Sequence, residues 1–412
     1  MWRYKLLLFI IFIPLTLYTL WQSLRAAELR YFLQRLAIFF NREIKPGGLW
    51  IHAASVGEVN AVIPLILKIH AENPQLAITL SSNTISSASV ALKQLPDNIQ
   101  HYYFPLDYRW AIKRVINKIK PKTIFIVETE FWPNLYSEAA RQNIPLLIIN
   151  GRISEKTLHA KQWLKNIYAQ ILPLVTQIYA RSETDLARFI TLGADPEKIE
   201  ARGNIKFASS VAQNIDPVNL NRPYVLAAST REDEEQLIVD AWLKADRQNH
   251  LLVIVPRHPA RLSDIIKQLT VFNINLAIRS KNEPVTESTD IYIADTIGEL
   301  KQFIAGSEFA VMGGSFVPKG GHNILEVAQM GKAVIFGDSM YNFEDEAKVF
   351  VQQNIGVQSG ILKLVGTFSA LISNRNYRLS LEENAGDFVK NNEHILDYYY
   401  QTLKEHINSE PE

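Results

Sequence analysis

No cysteine occurs among the 412 residues, which excludes disulfides, thiolate zinc sites, iron–sulfur clusters and a cysteine nucleophile. An excess of one charge is also missing. Forty-three Lys and Arg stand against 42 Asp and Glu, a formal net charge of +1, so whole-chain basicity gives no argument for a nucleic-acid partner. H-E-x-x-H, clustered histidines and Asp-x-Asp pairs are absent, which argues against a protein-bound catalytic metal. G-x-S-x-G, the Walker A loop, G-x-G-x-x-G and RNA-binding aromatic motifs are absent as well. Disorder is excluded by the composition, 47% hydrophobic against 21% charged, and the length suits two globular domains.

What is present begins at the N-terminus. Residues 1–50 carry Arg3, Lys5, Arg25, Arg30, Arg35, Arg42 and Lys45 against only Glu28 and Glu43. Within this basic start, Leu6 to Trp21 is uncharged; sixteen residues of helix rise roughly 24 Å, short of a ~30 Å hydrocarbon core, and Pro14 predicts a kink. A cleaved signal peptide would need a better cleavage site than Ala26-Ala27, and basic residues on both flanks blur the orientation of a full span. A membrane anchor over residues 1–45, embedded or interfacial, with Arg25, Arg30 and Arg35 against anionic head groups, fits best.

From residue 49 the chain alternates apolar runs with amphipathic stretches. Strands are expected at 49–54, 76–82, 123–128, 145–150 and 177–182, and again at 224–230, 251–257, 275–280, 290–295, 309–315 and 333–337. Continuous apolar strands between helices predict parallel sheets covered on both faces. The polar stretch from Ala208 to Pro223 separates the two series. The expected organisation is therefore α/β, with two doubly wound Rossmann-like domains: 46–210, a linker at 211–223, and 224–412 including C-terminal helices. Such halves face a cleft, and ligands bind where loops leave the carboxyl ends of strands.

Four motifs sit at such strand ends. In 312–337, Gly313-Gly314 ends a strand and Gly320-Gly321 precedes a helix expected near His322-Asn323. Glycines admit close backbone approach, and free N–H groups at a helix start attract phosphate. Asn323 suits a cap, and Glu326 one turn on suits a ribose; a tight loop with Glu326 favouring the helix dipole explains the same letters. In IHAASVGEVNAV, Ser55 and Glu58 have the spacing of a capping box, while a carboxylate at a strand end also suits a general base. VETEFWPNL places Glu128 and Glu130 beside aromatics, as in sugar binding, or as an ordinary helix start with Pro at its first turn. Arg257 and His258 in VPRHPARL suit phosphate or carboxylate, or a solvated turn. Lys206 in GNIKF and the run STREDEE (229–235) stand at a strand end and a helix start, with a surface lysine and a simple cap as the alternatives.

Taken in order, HAASVGEVNAVIPL, ETEFWPNL, NGRIS, GNIKF, PRHPAR, DTIGEL and GGSFVPKGGHNILEVA resemble the Kdo (3-deoxy-D-manno-octulosonic acid) transferase family of Gram-negative bacteria, from about residue 50 to 345. The chain departs from the family's pattern at Ala208, where an Asp usually follows K-F, and in the shortened segment after the anchor. The resemblance implies a GT-B fold and an inverting, metal-independent transfer of Kdo from CMP-Kdo to the lipid A precursor, at the cytoplasmic face of the inner membrane. It implies no cofactor and no nucleic-acid partner. It further implies Glu58 as catalytic base, with Ser55, Glu130 and Arg152 binding the acceptor or supporting the site around Glu58. Lys206, Arg257, His258, Gly314, Ser315, Asn323 and Glu326 would hold the donor. The alternatives are another GT-B nucleotide-sugar transferase or epimerase, and a non-catalytic binder of the lipid A precursor.

Overall fold

The computed structural model describes residues 2–40, 45–208 and 215–408. Arg42, positions 211–214 of the expected linker and the polar tail from residue 409 lie outside the described residues. Two compact units result: one comprises residues 1–208 together with 394–412, the other residues 209–393.

The first unit is built on a parallel sheet of seven strands: β1 (Leu49–His52), β2 (Ile78–Ser82), β3 (Gln100–Tyr103), β4 (Thr123–Val127), β5 (Leu146–Gly151), β6 (Gln177–Ala180) and β7 (Ile199–Ala201). Their spatial order is β3-β2-β1-β4-β5-β6-β7. The chain moves outward one way from β1 to β3, then returns to the other side of β1 as β4. Neighbouring loops therefore diverge at the carboxyl ends of β1 and β4, where doubly wound sheets bind ligands. The inner strands are wholly buried between two apolar layers, which is why they read as continuous apolar runs.

The second unit repeats the design with β8 (Tyr224–Thr230), β9 (Leu251–Pro256), β10 (Leu276–Ile278), β11 (Ile291–Ile293), β12 (Phe309–Met312), β13 (Ala333–Phe336) and β14 (Gly356–Gln358). Here the order is β10-β11-β9-β8-β12-β13-β14, with the divergence between β8 and β12. Two doubly wound parallel sheets are what the alternation of apolar strands and helices predicts, and they fit the GT-B fold that the family resemblance implies.

One boundary differs from expectation. The terminal helix Ile395–Asn408 belongs to the first unit, not to the domain that precedes it. Ile395, Tyr399, Tyr400 and Leu403 complete the apolar layer formed by Val62, Ile66 and Ile69. Tyr399 Oη receives the Asn150 N–H at 3.2 Å and donates to the Gly203 carbonyl at 3.2 Å. An amphipathic helix buries its apolar face wherever a complementary layer is open, and local sequence does not say where that is.

The N-terminal helix runs from Trp2 to Arg25, with Pro14 inside it. It is the single helix among the described residues long and apolar enough to cross a membrane.

Candidate active site

At the end of β1 the chain turns into the helix Val56–Glu72, and Ser55 caps it. Ser55 Oγ accepts the Glu58 N–H at 3.3 Å, a contact worth ~1 kcal/mol in typical helices. The Glu58 carboxylate turns back in return: Oε1 accepts from Ser55 Oγ at 2.9 Å, and Oε2 accepts the Ala54 N–H at 2.7 Å. The Ser55 half of the S-x-x-E capping box is thus realised, while the Glu58 carboxylate takes the Ala54 N–H and the Ser55 hydroxyl in place of the Ser55 N–H, which fixes it in one orientation. A second feature goes beyond capping. Burial, followed by the negative charges of Glu128 and Glu130, pushes the Glu58 carboxyl up to about 8, against the opposing pull of its two donors.

The neighbouring acids come from the end of β4. Glu128 has φ +59°, a left-handed backbone that costs a non-glycine residue roughly 1–2 kcal/mol. Its Oε1 lies 2.8 Å from Lys206 Nζ. Lys206, grouped by sequence with the donor residues, is therefore the partner of an acid in its own unit. The segment carrying it is held by Asn150 Oδ1, which accepts the Ile205 N–H at 3.0 Å. Glu130 Oε2 lies 3.8 Å from His52 Nε2. His52 is fully buried, with Nδ1 at 3.2 Å from the Ser81 carbonyl and its ring stacked on Phe104. Arg152 leaves β5, the next strand along, and is half-buried. Ser55, Glu58 and Glu130 are brought together; Arg152 shares the same edge of the sheet.

Beside Glu130 opens a cavity of about 260 Å³, with Thr129, Phe131, Trp132, Tyr168 and Tyr4 of the N-terminal helix among its walls. Tyr4 in its wall is tied to Asp107, whose carboxylate accepts the Tyr4 hydroxyl at 2.7 Å and the N–H groups of Asn134 and Leu135 at 2.9 and 3.0 Å.

The second unit presents the opposite charge. Arg231 follows β8, and Arg257 and His258 follow β9. Arg231 Nε donates to His322 Nε2 at 3.1 Å, and Nη1 stands 2.8 Å from His258 Nε2. Burial, together with Arg231, Arg257 and His258, lowers His322 to about 4, so its ring is neutral near pH 7 and accepts from Arg231. Arg257 is exposed, and among the described residues neither it nor Arg231 has a carboxylate within ion-pair distance. Glu326 is close enough to feel Arg257 and Lys301, and Asn323 hydrogen-bonds to it; burial still raises its carboxyl.

Several sequence expectations need correction here. The helix expected from His322-Asn323 begins at Leu325 and is four residues long, and Asn323 Oδ1 instead closes a turn by accepting the Leu325 N–H at 3.2 Å. Close internal packing requires glycine in both pairs. A Cβ on Gly313 would lie 2.5 Å from Glu234 Oε1, and one on Gly321 would lie 2.3 Å from Met340 Sδ. Gly314 N donates to both oxygens of the fully buried Glu234 at 2.7 Å, so that N–H is not free for a phosphate. Ser315 is likewise committed: its hydroxyl donates to the Met312 carbonyl at 2.6 Å and accepts the Gly337 N–H at 2.7 Å. Arg257, His258, Asn323 and Glu326 remain grouped around the exposed cations. Sequence reasoning did not assign roles to His52, Arg231, His322 or Glu234, and read Glu128 only as an acid beside aromatics. The run STREDEE and the HN pair were the available signals for three of them. Among the described residues no group of three or more acids and histidines is gathered for a metal ion.

Comparison with known proteins bears on the family and the fold. A family model described as 3-deoxy-D-manno-octulosonic-acid transferase (kdotransferase) matches residues 30–209. The 3-deoxy-D-manno-octulosonic acid transferase of Haemophilus influenzae is 32% identical over 374 residues, 88% of each chain. That of Rickettsia felis is 35% identical over 373 residues, 86% of this chain and 78% of the relative. Among solved structures, a glycosyltransferase of Rickettsia africae superposes with TM-score 0.57 at 16% identity, covering 89% of this chain and all (100%) of that one. A UDP-N-acetylglucosamine 2-epimerase of Neisseria meningitidis reaches TM-score 0.55 at 12% identity over 87% of this chain and 100% of its own; at such identities these structures speak for the fold alone. On the strength of the full-length sequence relatives, this chain belongs to the 3-deoxy-D-manno-octulosonic-acid transferase family, whose members are glycosyltransferases.

Proposed function

We propose that the protein transfers Kdo from CMP-Kdo to a hydroxyl of the lipid A precursor, with inversion at the anomeric carbon, at the cytoplasmic face of the inner membrane. The observation that carries this reading is the acid cluster at the divergence of β1 and β4, where Glu58 is held by two donors and made basic by burial and by Glu128 and Glu130.

In this mechanism ionised Glu58 takes the proton of the acceptor hydroxyl. The acceptor oxygen bonds to the anomeric carbon of Kdo as the bond from that carbon to the CMP phosphate oxygen breaks, on the opposite face. CMP departs with the bonding electrons, and Arg231 and Arg257 neutralise the charge that develops on its phosphate. Stabilising charge that appears in the transition state is commonly a large catalytic contribution. Glu326 and Asn323 orient the nucleoside. Ser55 holds Glu58 in place, while Glu130 and Arg152 contact the acceptor sugar. The cavity beside Glu130 accommodates part of that lipid-linked acceptor. Lys206 neutralises Glu128, which keeps the acid cluster from repelling an acceptor phosphate. No bound metal or cofactor enters any step.

The test is product analysis. Purified full-length protein with lipid A precursor and CMP-Kdo should yield an acceptor heavier by one or more Kdo residues, with an anomeric configuration opposite to that of the donor. Release of CMP with no gain in acceptor mass would reject the acceptor assignment, and retained configuration would reject inversion.

A further inference from the structure

The N-terminal helix is bound to the body of the first unit near both of its ends. Tyr4 donates its hydroxyl to Asp107 at 2.7 Å, the Tyr108 hydroxyl donates to the Leu8 carbonyl at 2.7 Å, and the Phe12 ring meets Tyr108 edge-on at 5.2 Å. Towards its other end, Gln22 Oε1 accepts from the Tyr31 hydroxyl at 2.9 Å. Tyr31 lies on the short helix Leu29–Arg35, where Arg35 donates to the Phe104 carbonyl at 2.7 Å and Gln34 Oε1 accepts the Tyr103 N–H at 2.9 Å. The attached side carries Tyr4, Leu8, Thr19 and Ser23, at helical spacing. The opposite side is a stripe of exposed apolar residues: Phe9, Ile10, Ile13, Leu17, Trp21 and Leu24.

These contacts oppose a crossing. A helix of 24 residues rises roughly 36 Å, enough to span a ~30 Å hydrocarbon core. Crossing with the present contacts intact would carry Asp107 and the backbone it caps into hydrocarbon, where charged and unsatisfied polar groups are strongly disfavoured. Crossing without them would break the contacts at both ends. Charge gives an independent argument. Arg3 and Lys5 stand at one end of the helix and Arg25 and Arg30 at the other. Basic residues favour the cytoplasmic side and its anionic lipids. Two basic ends are thus best satisfied together on one leaflet.

We infer that the Trp2–Arg25 helix lies in the plane of an anionic membrane surface, its outer stripe inserted among the lipids and its inner stripe kept on the protein, and does not cross the bilayer. This deepens, and rests on, the membrane part of the proposed function. It also sets the cavity that Tyr4 borders beside the surface from which a lipid-linked acceptor is drawn.

The native absence of cysteine makes the test direct. Single-cysteine variants Arg3→Cys, Arg25→Cys and Lys118→Cys, the last an exposed body position, are produced in the full chain. Each is treated with a membrane-impermeant maleimide in right-side-out and in inside-out vesicles of the inner membrane, with the cysteine-free parent as blank. The in-plane arrangement predicts that all three label in the same vesicle orientation. Labelling of Arg3→Cys only in the opposite orientation to Lys118→Cys, or in neither, overturns it while leaving membrane attachment standing. Failure of the parent chain to float with vesicles of phosphatidylethanolamine and phosphatidylglycerol would overturn this inference and the membrane part of the proposed function together.

Discussion

The two units use one scaffold for opposite electrostatic ends. At the divergence of the first sheet the strand ends deliver carboxylates, Glu58, Glu128 and Glu130, with Lys206 as the paired cation. At the carboxyl ends of β8 and β9 in the second they deliver Arg231, Arg257 and His258, with Glu234 buried beneath as an internal brace. In the proposed transfer, a hydroxyl that loses a proton and a phosphate that is held would use these two environments respectively. The difference resides in a few residues past the strands, because the strands themselves are apolar and interchangeable in character.

The sharpest way to break the comparison is Glu58→Gln. It keeps the shape and removes the base, so transfer should fall about a thousandfold while CMP binding is unchanged. Steady-state transfer beside calorimetric titration of CMP decides it, and equal turnover would end the base assignment. Next in size, Glu234→Ala removes the acceptor of the Gly314 N–H inside the second unit and should cost about 2–3 kcal/mol, read from denaturant unfolding. Burial raises the Glu58 and Glu234 carboxyls to about 8 and Asp107 to about 7. The folded state therefore holds these protons more tightly than the unfolded chain does. Their contribution to stability is complete below the ordinary carboxylate range and is lost as pH rises through about 7–8, so the melting temperature should decline from pH 6 to pH 9.

Smaller again, Arg231→Ala should weaken CMP binding about tenfold to a hundredfold, roughly 1.4–2.7 kcal/mol, and leave the pH dependence of transfer in place. The finest test concerns the acid cluster itself. Acceptor transfer should rise with pH as Glu58 ionises towards about 8. Glu130→Gln removes one negative neighbour and should move that rising limb to lower pH. An unmoved limb would mean that Glu130 does not act on Glu58.

Much of this was legible in the sequence, for identifiable reasons. The run YVLAAST became β8 residue for residue, since a buried central strand must be apolar throughout. Gln100–Tyr103 was overlooked because its burial is achieved by His101, Tyr102 and Tyr103 and not by aliphatic side chains. The three-residue strands Ile199–Ala201 and Gly356–Gln358 are edge additions too short to leave a pattern. For the site, the spacing of Ser55 and Glu58 foretold their mutual hydrogen bonds, but the charges gathered around Glu58 come from β4, some seventy residues later. The brace from Glu234 to Gly314 spans 80 positions, so a local reading of STREDEE finds only a helix start. The ion pair of Lys206 with Glu128 escapes a local reading for the same reason: it is set by how β4 lies in the sheet.

The return of the final helix to the first unit makes the second unit an insertion within it. Cutting the chain in the segment after residue 208 would not yield two self-sufficient halves. The leading fragment would lose Tyr399 and the apolar face that Ile395, Tyr400 and Leu403 supply, and the trailing fragment would carry an orphaned, sticky helix. A clean dissection must instead lift out residues 209–393 and rejoin the flanks. A nonsense mutation near the end of the gene would likewise damage the carboxylate-bearing half first, although that half is translated before the other.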